Sequence, residues 1–393
     1  MAEALKIAIV GSRGIPARYG GAETFAEEIS QRLTSLGFEV YVTCESHGFH
    51  RDDYNGVIRI HTPSIQGKTL TVPTINDILS TFHLLLRCPD IKLIYYAAPD
   101  AALAAAIPRL LRKKVVVNTD GIEWKRLAIR RQYFSPGWKF ISVLASWYLR
   151  LMEWLAVKLS HAVIADSREI KAYLEERYKT KNVVYISYGA RELLNSGIPA
   201  EREHKILEEF GLCTGEYYLT VGRIVAENNI HKEIEGFKRA GSDKKIVIVG
   251  NFNEKDRYTS YLFKLRDNDP RIMFLNPIYD KKVLGILRKN SYAYIHAYEV
   301  GGTNPSLLEQ MLFGKPILAY DVPFHREVLQ GGGIYFRDED DLAKYMGMLE
   351  NGVVDLVDLE EIERWQTRRI EEEYNWDKVA EKYSSLFREL LED

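Results

Sequence analysis

The sequence predicts two successive α/β domains, each a parallel sheet with helices on both faces. Short β-rich runs alternate with longer helix-like segments along the whole chain. Most of these runs are apolar throughout, which is typical of parallel strands that helices cover on both sides. The alternation begins again in the second half, and 393 residues suit two domains. We therefore predict two doubly wound, Rossmann-like domains that face each other across a cleft.

The predicted strands of the first half are residues 6–10, 39–44, 57–61, 92–97, 114–118, 162–165 and 183–187. Those of the second half are residues 217–221, 245–249, 272–275, 293–296, 316–320 and 333–336. A polar stretch at 191–206 predicts the boundary. The domains are thus expected at 1–195 and 205–372, followed at 374–393 by a helix with an apolar face formed by Trp376, Val379, Tyr383 and Leu386, which could pack back on the first domain.

The bulk composition favours a cytoplasmic enzyme over a nucleic-acid binder. The formal net charge is −2, which argues against general binding of nucleic acid. Three dispersed cysteines, Cys44, Cys88 and Cys213, suit a reducing compartment. The N-terminus does not have the pattern of a signal peptide. Since charges interrupt every long apolar run, we expect no membrane-spanning segment.

The first candidate site is the segment GSRGIPARYGGAETF, residues 11–25, which directly follows the first predicted strand. A glycine-rich turn that leads into a helix leaves backbone N–H groups free to bind a phosphate or carboxylate. An ordinary strand-to-helix turn is the alternative interpretation. Pro16 and the glycine spacing depart from the G-x-G-x-x-G dinucleotide fingerprint, which argues against an oxidoreductase.

The second half contains two further candidate segments. Arg223 follows a predicted strand and could hold a diphosphate, although a surface ion pair is the simpler alternative. After the strand that ends at His296, a Gly-Gly turn leads to a helix, for which Thr303 is the expected N-cap and Pro305 lies in the first turn. Glu309 in this helix could accept hydrogen bonds from two ribose hydroxyls, or be a solvated helix residue.

Together these motifs resemble the retaining glycosyltransferases of family 4, which have the GT-B fold. The segments GSRGIPARYGGAETF, DGIEWKR (residues 120–126), GRIVAENN (222–229) and EVGGTNPSLLEQM (299–311) are similar to a subgroup with rhamnosyltransferases of capsule and O-antigen assembly. The resemblance implies a hexosyltransferase for surface polysaccharides. Its donor would be a nucleoside-diphosphate-sugar of the UDP or dTDP type, and its acceptor a glycan or a polyprenyl-linked glycan.

The resemblance also implies roles for individual residues. Asp120, Gly20 and Gly21 would lie at the reaction centre. The donor-binding candidates are Arg223, Asn228, Glu299, Gly301, Gly302, Thr303, Asn304, Glu309, Ile278 and Tyr279, the last two at the nucleobase. The acceptor-side candidates are Tyr19, Glu23, Trp124, Lys125 and Arg126.

Two positions depart from the family pattern. The first Glu of the family's Glu-x7-Glu motif falls at Gly301, and the nearest acid is Glu299. The usual lysine after the arginine is absent, and Asn228 stands near its place. The diphosphate would therefore lose one cation, which Arg223, backbone amides or a basic side chain of the first domain would have to replace.

We expect neither a cofactor nor a metal. In the family's retaining chemistry the departing phosphate oxygen is thought to deprotonate the acceptor, so that the protein mainly stabilises the leaving charge. The acidic run Asp338-Glu339-Asp340 resembles the metal-binding motif of another glycosyltransferase fold. We interpret it instead as the start of a helix at 341–350.

Residues 124–158 contain four of the six tryptophans, Trp124, Trp138, Trp147 and Trp154, and seven basic residues against one acid, Glu153. Such a mixture is typical of segments that bind anionic lipid, and predicts an enzyme held peripherally on the inner face of the cell membrane. A helix buried between the domains is the alternative.

Two other functions of the whole protein stay open: a nucleotide-sugar 2-epimerase of similar layout, and a non-catalytic nucleotide- or glycan-binding module.

Overall fold

The computed structural model describes residues 4–17, 20–65, 71–119, 121–190, 193, 198–353 and 358–392. The chain divides into two compact units. Unit 1 comprises Met1–Trp124, Ile141–Tyr188 and Asn375–Asp393, and unit 2 comprises Lys125–Phe140 and Gly189–Tyr374. Two features differ from the sequence-based division. Residues 125–140 group with unit 2, and a helix begins at Ala200, inside the stretch expected to be a linker.

Unit 1 is built on an eight-stranded sheet. Its strands are β1 (Leu5–Val10), β2 (Phe38–Ser46), β3 (His50–Tyr54), β4 (Val57–Pro63), β5 (Leu93–Tyr96), β6 (Lys114–Thr119), β7 (Ala162–Ala165) and β8 (Val183–Tyr185). Its helices are α1 (Gly21–Ser35), α2 (Thr71–Arg87), α3 (Ala102–Leu110), most of α5 (Pro136–Leu159), α6 (Arg168–Tyr178) and α15 (Trp376–Glu392). The strand order is β3-β4-β2-β1-β5-β6-β7-β8, in which β3 and β4 are antiparallel and the other neighbours are parallel.

Unit 2 contains a six-stranded parallel sheet. Its strands are β9 (Tyr217–Val221), β10 (Lys245–Val249), β11 (Ile272–Leu275), β12 (Ala293–His296), β13 (Ile317–Tyr320) and β14 (Ile334–Phe336), in the order β11-β10-β9-β12-β13-β14. Its helices are most of α4 (Glu123–Arg130), then α7 (Ala200–Glu209), α8 (Ile230–Ala240), α9 (Arg257–Arg266), α10 (Lys281–Asn290), α11 (Pro305–Met311), α12 (Pro323–Leu329), α13 (Glu339–Glu350) and α14 (Leu359–Glu372).

The thirteen strands that the sequence predicts are all present, with ends displaced by at most two residues. The predicted fold class is therefore confirmed. The additional strand, β3, has the sequence HRDDY. This strand was missed because it lies at the sheet edge, where polar side chains are tolerated and an apolar pattern is not required.

Each sheet has one position where the chain connections leave in opposite directions. In unit 1 this point lies between β1 and β5, and in unit 2 it lies between β9 and β12. In open parallel sheets, ligands bind outside the carboxyl ends of the strands at such a switch point. The segments that follow β1, β9 and β12 are therefore the places in the fold where a ligand is expected.

The C-terminal helix α15 packs against α1 within unit 1. Tyr383 of α15 meets Phe25 of α1 with ring centroids 5.3 Å apart. Trp376, Val379 and Tyr383 of the predicted apolar face are buried and Leu386 is half-buried, while Phe387, which the sequence analysis did not include, is buried as well. The larger aromatic ring of Phe387 packs against Phe38.

Candidate functional site

Arg223 lies two residues beyond the end of β9, on the carboxyl side of the unit 2 switch point, and is exposed. The loop after it is closed by Asn228, whose Nδ2 donates to the Arg223 carbonyl at 2.8 Å. Just before it, Ser306 of α11 donates from Oγ to the Val221 carbonyl at 2.8 Å. The arginine is thus held on a fixed backbone next to the start of α11.

The loop after β12 is joined directly to the loop after β9. The Glu299 N–H donates to the Glu227 carbonyl at 2.9 Å. Asn229 Nδ2 donates to the Ala297 carbonyl at 3.1 Å and to Glu299 Oε2 at 3.2 Å. The structure therefore brings Glu299 and the glycines that follow it to the same edge of the sheet as Arg223.

The N-cap of α11 is Asn304 rather than the predicted Thr303. Asn304 Oδ1 accepts from the Ser306 N–H at 2.9 Å, and Pro305 is the first helical residue. Proline favours the first helical position, so the cap must be the residue directly before it. Thr303 is buried in the turn instead. Gly301, Gly302, Thr303 and Asn304 thus form one short turn between β12 and α11.

Glu309 is held by an arginine that the sequence analysis did not single out. Arg288 Nη2 donates to Glu309 Oε2 at 3.1 Å and to Ser306 Oγ at 2.7 Å, and its Nη1 donates to the Ser306 carbonyl at 3.0 Å. The Arg288 side chain is 0% exposed and that of Glu309 16% exposed. Glu309 is therefore not a solvated helix residue, because a buried cation orients its carboxylate.

Helix α4 brings basic side chains of the first half of the sequence into unit 2. Arg130 forms an ion pair with Glu227, in which Nε lies 2.9 Å from both carboxylate oxygens. Glu227 is buried, so this pair anchors the helix firmly. Arg126 lies one turn earlier on the same face. A Cβ placed at Gly301 would lie 3.9 Å from Arg126 Nη2. The guanidinium group of Arg126 is therefore beside the Gly301–Asn304 turn, which we call the donor loop.

Gly222, between β9 and Arg223, is required by close packing. A Cβ at this position would lie 1.6 Å from the hydroxyl oxygen of Tyr298, which is buried. Only glycine therefore leaves room for the tyrosine under the donor loop. This contact explains why a glycine precedes Arg223 in the sequence motif.

The remaining donor candidates, Ile278 and Tyr279, follow β11, which is separated from β9 by β10. Tyr279 is 72% exposed, so its ring is accessible to a planar ligand. The nucleobase role of these two residues stays a prediction.

In unit 1, the predicted glycines lie at the start of α1. Gly20 is the N-cap residue of this helix, Gly21 is its first residue, and Glu23 is buried in the first turn. They follow β1 at the unit 1 switch point, where the sequence analysis expected an anion. Asp120 and Tyr19 lie outside the described residues, so their predicted roles stay predictions.

Trp124 and Lys125, both predicted on the acceptor side, lie in the first turn of α4 and are half-buried. Trp124 Nε1 donates to the Tyr173 hydroxyl at 3.2 Å. The guanidinium of Arg150 lies over the indole ring, 4.2 Å from its centroid. The indole is thus occupied by contacts inside unit 1.

Asp77 of α2 is a buried carboxyl group that the sequence analysis missed. A Cβ placed at Gly11, directly after β1, would lie 3.6 Å from Asp77 Oδ1. Burial raises the pKa of Asp77 well above its usual value, and the nearby carboxylates of Asp100 and Glu45 raise it further. A protonated carboxyl can donate a hydrogen bond beside the glycine loop. The only sequence signal is a polar pair, Asn76-Asp77, inside an apolar helix.

Within the described ranges, His50, Asp52 and His61 form one group of three possible metal ligands, with ligand atoms within 4.8 Å of one another. This group lies on the edge hairpin β3–β4, which β2 separates from the switch point. Arg59 already donates to both oxygens of Asp52, at 2.8 and 2.6 Å, and its positive charge disfavours a divalent ion.

The acidic run at 338–340 begins a helix, as the sequence analysis proposed. Asp338 is the N-cap of α13, and its Oδ1 accepts from the Asp341 N–H at 2.8 Å. Its carboxylate thus serves the helix N-terminus.

Two buried histidines below the donor loop predict a loss of stability in acid. Burial lowers the pKa of His325 to about 4 and that of His296 well below its usual value. The folded state holds both histidines neutral, whereas the unfolded chain protonates them below the ordinary histidine pKa of about 6.5. The stability of the fold is therefore full above a pH of about 6.5 and is lost progressively as the pH falls towards about 4. From pH 7.5 to 5, His325 alone should reduce the free energy of unfolding by about 2 kcal/mol.

Urea unfolding of the parent and of His325→Asn at both pH values measures this effect. The variant should lose less stability than the parent between pH 7.5 and 5. Equal losses would show that His325 is not the titrating group.

Comparison with known proteins supports the assignment suggested by this geometry. Residues 205–352 match the family Glycosyl transferases group 1, and residues 4–191 match a domain of unknown function, DUF1972. The second half of the chain is thus similar to a glycosyltransferase group 1 domain. An uncharacterised glycosyltransferase of Methanocaldococcus jannaschii is 23% identical over 267 residues. This match covers 64% of the present chain and 64% of the length of that relative.

Solved structures show the same GT-B fold over nearly the whole chain. A sucrose-phosphate synthase of Thermosynechococcus elongatus superposes with a TM-score of 0.77 at 15% identity, covering 98% of this chain and 99% of that one. A glycosyltransferase of Rickettsia africae gives 0.71 at 15% identity, with 99% of each chain covered. Anabaena HepE in complex with UDP-glucose gives 0.71 at 15% identity, covering 98% and 100%.

Proposed function

We propose that this GT-B protein transfers a hexose from a nucleoside-diphosphate-sugar to a glycan or lipid-linked glycan, with retention of anomeric configuration. The observation that carries the proposal is the convergence at the unit 2 switch point. The loop with Arg223, the loop with Glu299 and the helix with Glu309 are joined there by hydrogen bonds from Asn229, Ser306 and Arg288. This is where a doubly wound sheet binds a nucleotide.

The donor diphosphate would be held by Arg223 and by Arg126. The chain lacks the family's usual lysine, with Asn228 near its place, and Asn228 is occupied with the Arg223 carbonyl. Arg126 lies beside Gly301 on a helix that the Arg130–Glu227 pair anchors. This position favours a donor role over the acceptor role that the sequence suggested. Two guanidinium groups would then oppose the leaving charge.

The donor ribose would be bound by the carboxylate of Glu309. Its Oε2 accepts from the buried Arg288, and this contact keeps the carboxylate oriented. An oriented carboxylate loses little conformational entropy when the two ribose hydroxyls bind.

The reaction would proceed without a divalent ion. The departing phosphate oxygen would take the proton of the acceptor hydroxyl on the same face, and the two arginines would stabilise the charge that develops on that oxygen. The acidic run at 338–340 resembles a metal-binding motif, but Asp338 caps helix α13, so the run has a structural role that requires no metal. This supports the proposal. The resemblance further proposes that Asp120, Gly20 and Gly21 act at the reaction centre.

The sugar and the pathway are inferred from resemblance. Motif similarity to the rhamnosyltransferase subgroup favours dTDP- or UDP-linked rhamnose. Anabaena HepE, which shares the fold, is described in complex with UDP-glucose, so a UDP-linked hexose is the second candidate. The proposed setting is surface polysaccharide assembly on the cytoplasmic side of the membrane. The group 1 domain and the relative's name support a transferase over the 2-epimerase alternative.

Incubation of the whole chain with nucleotide-sugars, with and without a polyprenyl-linked glycan, tests the proposed reaction. We expect release of the nucleoside diphosphate and a lengthened glycan when acceptor is present, at an unchanged rate in EDTA. A new nucleotide-sugar formed without acceptor would indicate an epimerase. Loss of turnover in EDTA that manganese restores would overturn the metal-free reaction.

Replacing Arg126 tests the second diphosphate cation. We expect Arg126→Gln to weaken UDP binding about tenfold or more, since a hydrogen bond to a charged group is worth about 1.5–3 kcal/mol, and to leave uridine binding unchanged. Arg368→Gln, on exposed α14, is the matched control. Calorimetric affinities for UDP that are equal in both variants would contradict the donor role of Arg126.

A further inference from the structure

Helix α5 is the one helix in the described part of the chain that is long and apolar enough to cross a membrane. It has 24 residues, and its most apolar window has a mean hydropathy of 1.3. One third of that window is buried inside the protein. The rest of the window is at least partly exposed, and it includes several exposed large apolar side chains.

Polar contacts hold α5 against unit 1. Glu153 is buried, and its Oε1 accepts from the hydroxyls of Tyr173, at 2.8 Å, and Tyr178. Tyr148 shares a 2.8 Å hydrogen bond with Thr74 of α2. A spanning orientation would have to break these contacts and place the carboxylate of Glu153 in hydrocarbon. The helix is thus built to lie along the protein surface.

The outward side of α5 carries a row of large apolar side chains at helical spacing, namely Leu144, Trp147, Leu151 and Trp154. Trp147 is 66% exposed. A second row on α2 consists of Ile75, Leu79, Phe82 and Leu86. Leu103 and Leu110 of α3 are also exposed, Leu110 to 83%.

These rows lie on one side of the unit 1 sheet. Leu84 of α2, Ala104 of α3 and Ala156 of α5 share one core with Ile94 and Val115 of the sheet. Helices that pack inward on the same face of a sheet turn their opposite sides outward together. The exposed rows of α2, α3 and α5 therefore form a single surface, which we call the three-helix face.

The charges of the three-helix face are predominantly basic. Among the described residues of these helices, both acids, Asp77 and Glu153, are buried. Arg87 of α2, Lys158 of α5 and Arg112, just beyond α3, are exposed. The exposed acid beyond α2, Asp90, is paired with Lys6. An apolar surface with a predominantly basic rim is complementary to a membrane surface, which is apolar inside and carries anionic headgroups at its boundary.

We propose that the three-helix face docks on a bilayer that contains anionic phospholipid. The leucine, phenylalanine and tryptophan side chains enter the boundary between headgroups and acyl chains, and the basic rim contacts lipid phosphates. A monomeric protein rarely exposes so continuous an apolar surface without a binding role. The surface differs from the predicted segment 124–158, because Trp124 and Arg130 are engaged within the protein, while α2 and α3 contribute instead.

Flotation of the whole chain with lipid vesicles tests the proposal. We expect binding to vesicles of phosphatidylglycerol and phosphatidylcholine, little binding to phosphatidylcholine alone, and release as salt rises. The variant L86E/L110E/W147E should bind at least tenfold more weakly. Because these side chains are exposed, its melting temperature and UDP affinity should match those of the parent. L359E, at an exposed leucine of α14 in unit 2, is the matched control and should bind normally.

The basic rim is tested separately with R87S/R112S/K158S, which should lose the preference for anionic vesicles. Failure of the parent to bind anionic vesicles at low salt would overturn the proposal, as would equal binding by L86E/L110E/W147E. A parent that sediments as a dimer, and becomes a monomer in that variant, would show instead that the face joins two copies of this chain. The vesicle result is independent of the proposed sugar transfer, because UDP affinity is measured in parallel.

Discussion

Arg288→Ala is expected to lower the free energy of unfolding by about 3–5 kcal/mol. The guanidinium is fully buried and donates to Ser306 and Glu309. Removing it takes the buried Arg288 cation away from the Glu309 carboxylate and opens a cavity beneath α11. Chemical denaturation at neutral pH measures the loss.

Arg337→Ala is the control, because Arg337 pairs with Asp341 at an i,i+4 spacing on an exposed helix end. Such a surface pair contributes about 0.3–0.5 kcal/mol. If the Arg288 and Arg337 variants unfold at the same denaturant concentration, Arg288 does not support α11, and the orientation of Glu309 needs another explanation.

Glu309→Ala is expected to weaken UDP binding by about 10- to 100-fold for each ribose hydrogen bond that is lost. Each lost hydrogen bond from a ribose hydroxyl to the charged carboxylate is worth about 1.5–3 kcal/mol. Val225→Ala, a small change on the loop after β9, should leave the affinity within about twofold. Calorimetric titration of UDP into both variants measures the difference.

Since Glu309→Ala also leaves Arg288 short of an acceptor, Glu309→Gln separates the two effects. The glutamine can still accept from Arg288 but has no charge, so we expect near-normal stability with affinity still reduced. Parent-like UDP affinity in both variants would exclude the ribose role of Glu309.

The architecture could be predicted because its main signals are local. Parallel strands buried on both faces leave continuous apolar runs, and thirteen of these runs became strands. The antiparallel strand β3 was missed because its side chains face solvent at an edge. Helix α7 was missed because its polar, charged sequence resembles a linker, and Leu207 is its buried residue.

The candidate site could be predicted only in part. The loops with Arg223 and Glu299 were found, because turn residues after a strand are visible in the sequence. Arg288 was not, since a basic residue near a helix end usually faces solvent, and only the fold shows its burial. Similarly, no sequence pattern reveals that Arg130 pairs with Glu227 across 97 residues, which places Arg126 beside the donor loop.

A crystal structure of the whole chain with UDP tests the central claim most directly. We predict the diphosphate at the Gly301–Asn304 turn, within hydrogen-bond distance of Arg223 and Arg126, and the ribose hydroxyls at Glu309. Density for UDP at another place in the molecule, with the edge of the sheet between β9 and β12 empty, would contradict the account.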